Sequence, residues 1–164
     1  MPPFYHSRDQ MGFTPLEVLV VLIIIGIISV VVVGRSDIGQ TDLLAQTEVI
    51  KAHIRYAQSL SMKSDRIWGI RCNDTGQSYW LFVDGDPDNT NNQRKLPGKE
   101  TKIVDLTQFK LTLSAATLSF DNRGRPCDDN GGTHPIQNDL VLTLSAAGGA
   151  NTTIRVTRNT GFVP

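Results

Sequence analysis

The chain is poor in the residues that mark metal centres and catalytic sites. It holds two cysteines and three histidines in 164 residues, and His6, His53 and His134 have no ligand spacing. A zinc site draws on clustered Cys and His side chains, and no such cluster is visible. No nucleophile elbow, Walker loop or zinc-protease motif occurs. An excess of one charge is missing too, since sixteen Lys and Arg balance sixteen Asp and Glu. General affinity for nucleic acid needs a basic surface, so the balance argues against it. A local patch remains open, with Lys99, Lys102, Arg123, Arg125, Arg155 and Arg158 as its candidates.

Charge is scarcest between Phe13 and Val33, where Glu17 is the only ionisable side chain. At about 1.5 Å per residue this run reaches about 30 Å as a helix, roughly one hydrocarbon thickness. A helix on the surface of a domain carries a polar face, and this one has almost none. The run is longer than the roughly 7–15 residues of a secretory h-region, and no small-x-small cleavage site follows it before GRSDIGQ. It reads as a transmembrane helix. A buried core helix, an ordinary signal and a plain anchor are the competing readings.

Beyond Arg35 the composition becomes mixed and polar. Residues 42–62, DLLAQTEVIKAHIRYAQSLSM, place Leu43, Ile50, Ile54, Ala57 and Ser61 on one helical face, broadened by Val49, His53, Tyr56 and Leu60. That pattern predicts an amphipathic helix lying on a sheet, with His53 packed rather than ligating. From Lys63 onward the pattern is one of short strands and turns. IWGIRC and SYWLFVD form a hairpin across NDTGQ, and TKIVDL, FKLTL, TLSF, DLVLTL and TTIRVT are further strands. The predicted class is α+β: a long N-terminal helix packed on an antiparallel sheet or on two small sheets.

The segment GFTPLEVLVVLIIIGIIS, residues 12–29, resembles the class III signal of type IV pilins and type II secretion pseudopilins. RYAQSLSMKSDR before a hairpin, then LSFDNRGRP and TIRVTRNTGFVP, extends the resemblance. These later segments look like H-type minor pseudopilins and the related minor pilins of the FimT/FimU and MSHA kinds. The resemblance implies that a membrane peptidase cuts between Gly12 and Phe13 and that Phe13 is then N-methylated. Gly12 suits a narrow protease site because it has no side chain. Glu17 becomes the fifth residue of the mature chain. A carboxylate in an apolar span costs about 2.5–3.5 kcal/mol and needs a partner. In a filament, the new Phe13 amine of a neighbouring subunit supplies one. A glutamate reaching water at the bilayer edge is the plainer alternative. Pro15 is tolerated in the first helical turn, where its missing donor would be unpaired anyway.

The organisation this implies is a cleaved leader (1–12), a transmembrane and filament-core helix (13–34), its amphipathic continuation (35–63) and a β-rich domain (64–164). The expected protein is a non-enzymatic minor subunit of a secretion pseudopilus or pilus, serving filament priming and protein secretion. Its expected place is the bacterial inner membrane, crossed once, with the C-terminal domain periplasmic and the filament in the periplasm or at the cell surface. Expected partners are other subunits, the prepilin peptidase and the assembly platform; nucleic acid is not among them. A DNA-binding or adhesive tip pilin and a membrane-anchored periplasmic enzyme are the rival readings. The oxidising location and even cysteine count suggest a Cys72–Cys127 disulfide, two free thiols being the alternative. No cofactor is expected. Asp84, Asp86 and Asp88 start like a calcium loop, but Asn89 and Lys95 replace its glycine and glutamate.

Overall fold

The structure, a computed structural model, describes residues 14–33 and 38–164. The chain divides into two compact units, Met1–Ser36 and Asp37–Pro164.

The first unit contains helix α1, Pro15–Val33. Its start is set locally. Thr14 O and Oγ1 both accept from the Glu17 N–H, at 3.0 and 3.3 Å. Thr14 thus caps the helix, Pro15 fills the first helical position, and Glu17 stands where the macrodipole favours an anion. Side chains are described from Pro15 to Ser29, a length of about 22 Å. Among the described residues no helix is long and apolar enough to cross a membrane. The predicted helix ends at Phe13 and Gly34 lie outside the described residues, as does the junction with the next helix.

The second unit is built on helix α2, Ile38–Ser64. The predicted face is buried: Leu43, Ile50, Ile54, Ala57 and Ser61 all lie in the interior. Each buried Ile or Leu contributes about 1.5–3 kcal/mol relative to exposure. The C-terminal end is tied to the adjoining segment around Trp68. Ser61 Oγ accepts from Trp68 N–H at 3.0 Å, and the Trp68 indole donates to Ser64 Oγ at 2.7 Å. Asp65 leaves the helix in the left-handed conformation, φ 51°.

Among the described residues, nine strands form two antiparallel sheets. They are β1 Trp68–Cys72, β2 Ser78–Val83, β3 Gln93–Arg94, β4 Ile103–Asp105, β5 Leu111–Leu113, β6 Thr117–Phe120, β7 Pro126–Cys127, β8 Leu140–Ala146 and β9 Asn151–Val156. The larger sheet runs β3-β2-β1-β6-β7, with β4 also on β2; the smaller runs β5-β8-β9. The core lies between α2 and one face of each sheet. Ile70, Cys72, Tyr79, Leu81, Leu118 and Phe120 come from the larger sheet, and Leu111, Leu113, Leu142, Leu144, Ile154 and Val156 from the smaller. Alternation along β5 and β9 gives this directly, because successive side chains point to opposite faces.

Two glycines are required by close approach. At Gly69 an added Cβ would stand 2.5 Å from Leu118 O and from the Phe82 ring. Gly76 has φ +72° in the β1–β2 turn, where a Cβ would meet Leu113 O at 2.2 Å. The first hairpin therefore docks by backbone on β5, and Leu113 N–H donates to Gly76 O at 2.8 Å.

Candidate functional site

The feature that the second unit does not explain is the surface of α1. Leu16 is 73% exposed, and Leu19, Leu22, Ile23, Ile25, Ile27 and Ile28 each lie more than half exposed. A soluble monomer rarely shows so continuous an apolar surface; such patches mark contact with a partner or a membrane. Glu17 is the one acid on this rod. Val18, Val21 and Leu22 lie beside it and give it an apolar surround. A carboxylate bordered by aliphatic side chains favours a cationic partner, because both charges are then removed from water together. The cleavage pair, Gly12 and Phe13, lies outside the described residues. Thr14, whose oxygens fix the turn that presents Glu17, was missed in the sequence. The signal was present as T-x-x-E ahead of an apolar run.

The expected Cys72–Cys127 disulfide is not formed. Both thiols are free and buried. The register shows why. Cys127 pairs with Ser119 on β6, Ser119 faces Gly69 on β1, and Cys72 lies three residues farther along. Two strand spacings across and three residues along separate their Cα atoms by on the order of 14 Å. A disulfide needs less than about 7 Å. The thiol of Cys72 lies 3.6 Å from Leu113 O and that of Cys127 3.6 Å from Arg125 O. Burial pushes both pKa values up to about 11. Neither thiol is a ready nucleophile.

The structure does not gather Asp84, Asp86 and Asp88 into an ion site. Asp84 is engaged by the Arg66 guanidinium, with Nε 3.0 Å from Oδ1. That bond holds its carboxyl below the usual range. Asp86 Oδ1 accepts from Asp88 N–H at 3.2 Å, closing a local turn, and Asp88 stands 3.9 Å from Arg71. Among the described residues, the side chains close enough to share a cation are instead Asp128, Asp129 and His134. Asp129 already accepts from Gly131, Thr133 and His134, at 2.8–3.1 Å. Those bonds outweigh burial and lower its pKa. It organises the 129–134 turn.

Four members of the candidate basic patch have partners within the chain. Arg125 pairs with Asp121 at 2.7 Å and Arg155 donates to Asp139 at 2.8 Å. Lys102 donates to Thr90 O at 2.9 Å, and Arg158 to Gln137 O at 3.0 Å. His53 is a core histidine, 4% exposed. Its Nδ1 lies 2.9 Å from the Tyr79 hydroxyl and its Nε2 3.2 Å from Pro97 O. A carbonyl can only accept, so Nε2 carries the proton and Nδ1 accepts from Tyr79. Three further bonds were not readable in the sequence. Arg55 Nη2 donates to Val163 O at 2.8 Å, and Gln58 Nε2 donates to Gly124 O at 2.8 Å and to Thr160 O at 2.6 Å. Together they hold residues 160–163 against α2.

An α-helix laid on two antiparallel sheets, joined in this order, is a fold that this chain shares with solved structures. Solved structures supply the particular likenesses. The type IV minor pilin FimU of Pseudomonas aeruginosa matches with a TM-score of 0.54 at 16% identity, covering 76% of this chain and 88% of that one. The minor pseudopilin EpsH of the type II secretion system of Vibrio cholerae matches with a TM-score of 0.53 at 11% identity, covering 75% and 94%. A second structure of EpsH matches with a TM-score of 0.52 at 10% identity, covering 76% and 92%. No protein-family model and no curated protein matches the chain. At these identities the likeness is one of fold, and it agrees with the family resemblance of the sequence.

Proposed function

We propose that this chain is a minor pseudopilin or minor pilin, a structural subunit of a type II secretion pseudopilus or type IV pilus. The observation that supports this most is the shared fold with FimU and EpsH over nearly the whole length of those chains. The precursor inserts in the inner membrane through residues 13–33, with the globular unit on the periplasmic side. A prepilin peptidase cuts between Gly12 and Phe13, and Phe13 is methylated. The assembly platform then lifts the subunit out of the bilayer. In the filament, Glu17 meets the Phe13 amine of a neighbouring subunit, which neutralises both charges and fixes the axial register. The exposed aliphatic surface of α1 buries itself among other helices, while the β-rich unit faces outward to other minor subunits. Its role is to prime the filament for protein secretion. No step of this cycle requires a cofactor or catalysis by the chain itself.

Maturation is the direct test. Co-expression with a prepilin peptidase, followed by mass measurement, is expected to show loss of residues 1–12 and gain of one methyl group. An intact chain, or cleavage beyond Val33, overturns the proposal.

A further inference from the structure

The globular unit carries a shallow cleft of about 290 Å³, lined by Arg125, Pro135, Ile136, Gln137, Arg158 and Asn159. Two arginines sharing one small cleft repel each other unless something holds them, and here the protein does. Arg125 Nε donates to Asp121 at 2.7 Å, yet its side chain stays 42% exposed. Asp121 is fixed in turn by the backbone N–H groups of Arg123 and Arg125, at 2.9 and 2.8 Å. Arg158 is held at both ends. Its backbone N–H donates to Asp139 at 2.9 Å, and Nη1 donates to Gln137 O at 3.0 Å. A guanidinium has five N–H donors. Among the described residues the guanidinium of each uses one in a hydrogen bond within the chain, and both side chains line the cleft.

The chemistry that suits such a pair is a carboxylate. Guanidinium groups match it in a planar, two-point geometry, and pre-held side chains lose less entropy on binding. Pro135 and Ile136 add an apolar wall for the stem of an acidic side chain. A nucleic-acid backbone fits less well. Asp121 pairs with Arg125, and Asp139 accepts from the Arg158 backbone N–H; these two carboxylates oppose a continuous polyanion more than a single carboxylate, and the chain has no net charge to attract one.

We propose that this cleft captures an acidic side chain presented by a neighbouring protein subunit, with Arg125 and Arg158 as its two anchors. That the neighbour is a filament subunit rests on the function proposed above; the preference for a carboxylate does not. The site makes the globular unit a specific docking element, independent of α1.

The test uses the full chain in detergent micelles and follows the arginine Nε–H resonances by NMR. N-acetylglutamate is expected to shift the Arg125 and Arg158 signals saturably in the millimolar range. N-acetylglutamine, of the same shape without the charge, is expected to leave them in place. Arg158→Gln is expected to weaken binding about tenfold or more, the loss expected for a hydrogen bond to a charged group, with the melting temperature unchanged. No shift with N-acetylglutamate, an equal response to inorganic phosphate, or undiminished binding by Arg158→Gln overturns the proposal. Tighter, salt-dependent binding of a short DNA duplex overturns it in favour of a nucleic-acid site. Peptidase processing does not involve this cleft, so failure here and failure of the filament reading are separate results.

Discussion

The two helices of this chain solve opposite problems. Helix α2 carries one apolar face and buries it, with Ile50 and Ile54 wholly inside. Helix α1 is apolar around its whole circumference and leaves those side chains exposed. For α2 the stabilising partner is the chain's own pair of sheets. For α1, under the proposed function, the partner is a bilayer or the helices of other subunits. The difference teaches where self-sufficiency ends: on the proposed function, one helix belongs to a fold and the other to an assembly.

The comparison breaks most visibly at Glu17. Replacing it by valine removes the only charge of α1; on the proposed function this spares insertion and cleavage but removes the partner of the neighbouring amine. Losing one member of a buried ion pair costs about 3–5 kcal/mol. Glu17→Val is therefore expected to be processed normally but incorporated into filaments at least about a hundredfold less, read by immunoblot of sheared filaments. Normal incorporation would refute the charge-pairing role.

The corresponding break in α2 is Ile54→Ala. It leaves a cavity under both sheets and is expected to destabilise the globular unit by about 2–5 kcal/mol, measured by chemical unfolding. Processing at the other end of the chain should be untouched. A change below about 1 kcal/mol would mean that α2 is not the keel of the unit.

A finer test concerns the polar contact within that apolar face. Tyr79→Phe removes the hydroxyl that donates to His53 and strands a buried acceptor, at a cost of about 1–3 kcal/mol. The smallest effect is the pH response of the same histidine. Burial lowers the pKa of His53, against the opposing pull of the Pro97 carbonyl. The unfolded chain therefore binds this proton more readily than the folded one. The contribution to stability is fully present above the unfolded value of about 6.5 and is lost as pH falls below it. Melting temperature should fall between about pH 7 and 5.5 in the wild type and less so in His53→Gln. A flat wild-type profile would contradict the assignment.

Much of this contrast was legible in the sequence because it is periodic. The spacing of Leu43, Ile50, Ile54, Ala57 and Ser61 fixed the buried side of α2, and the seven predicted strand segments each contain an observed strand. The unreadable parts lack period. Strands β3 and β7 are two residues long, too short for alternation. The disulfide expectation rested on parity and compartment, which carry no information on register; β6, standing between β1 and β7, decided the matter. Arg55 reaches a carbonyl 108 positions away, beyond any local signal. At the candidate site Glu17 was legible as a lone acid in an apolar run. The paired use of Arg125 and Arg158 was not, since turns rather than spacing bring them to one cleft.

The two buried sulfhydryls provide a built-in clock. Each is shielded and reluctant to ionise, so an alkylating reagent can capture it only when its surroundings open. Cys127 sits on the short outermost strand and Cys72 on the central one. Their labelling rates should therefore differ, the rim reacting first. The ratio of the two would report how far the domain loosens, without any introduced probe.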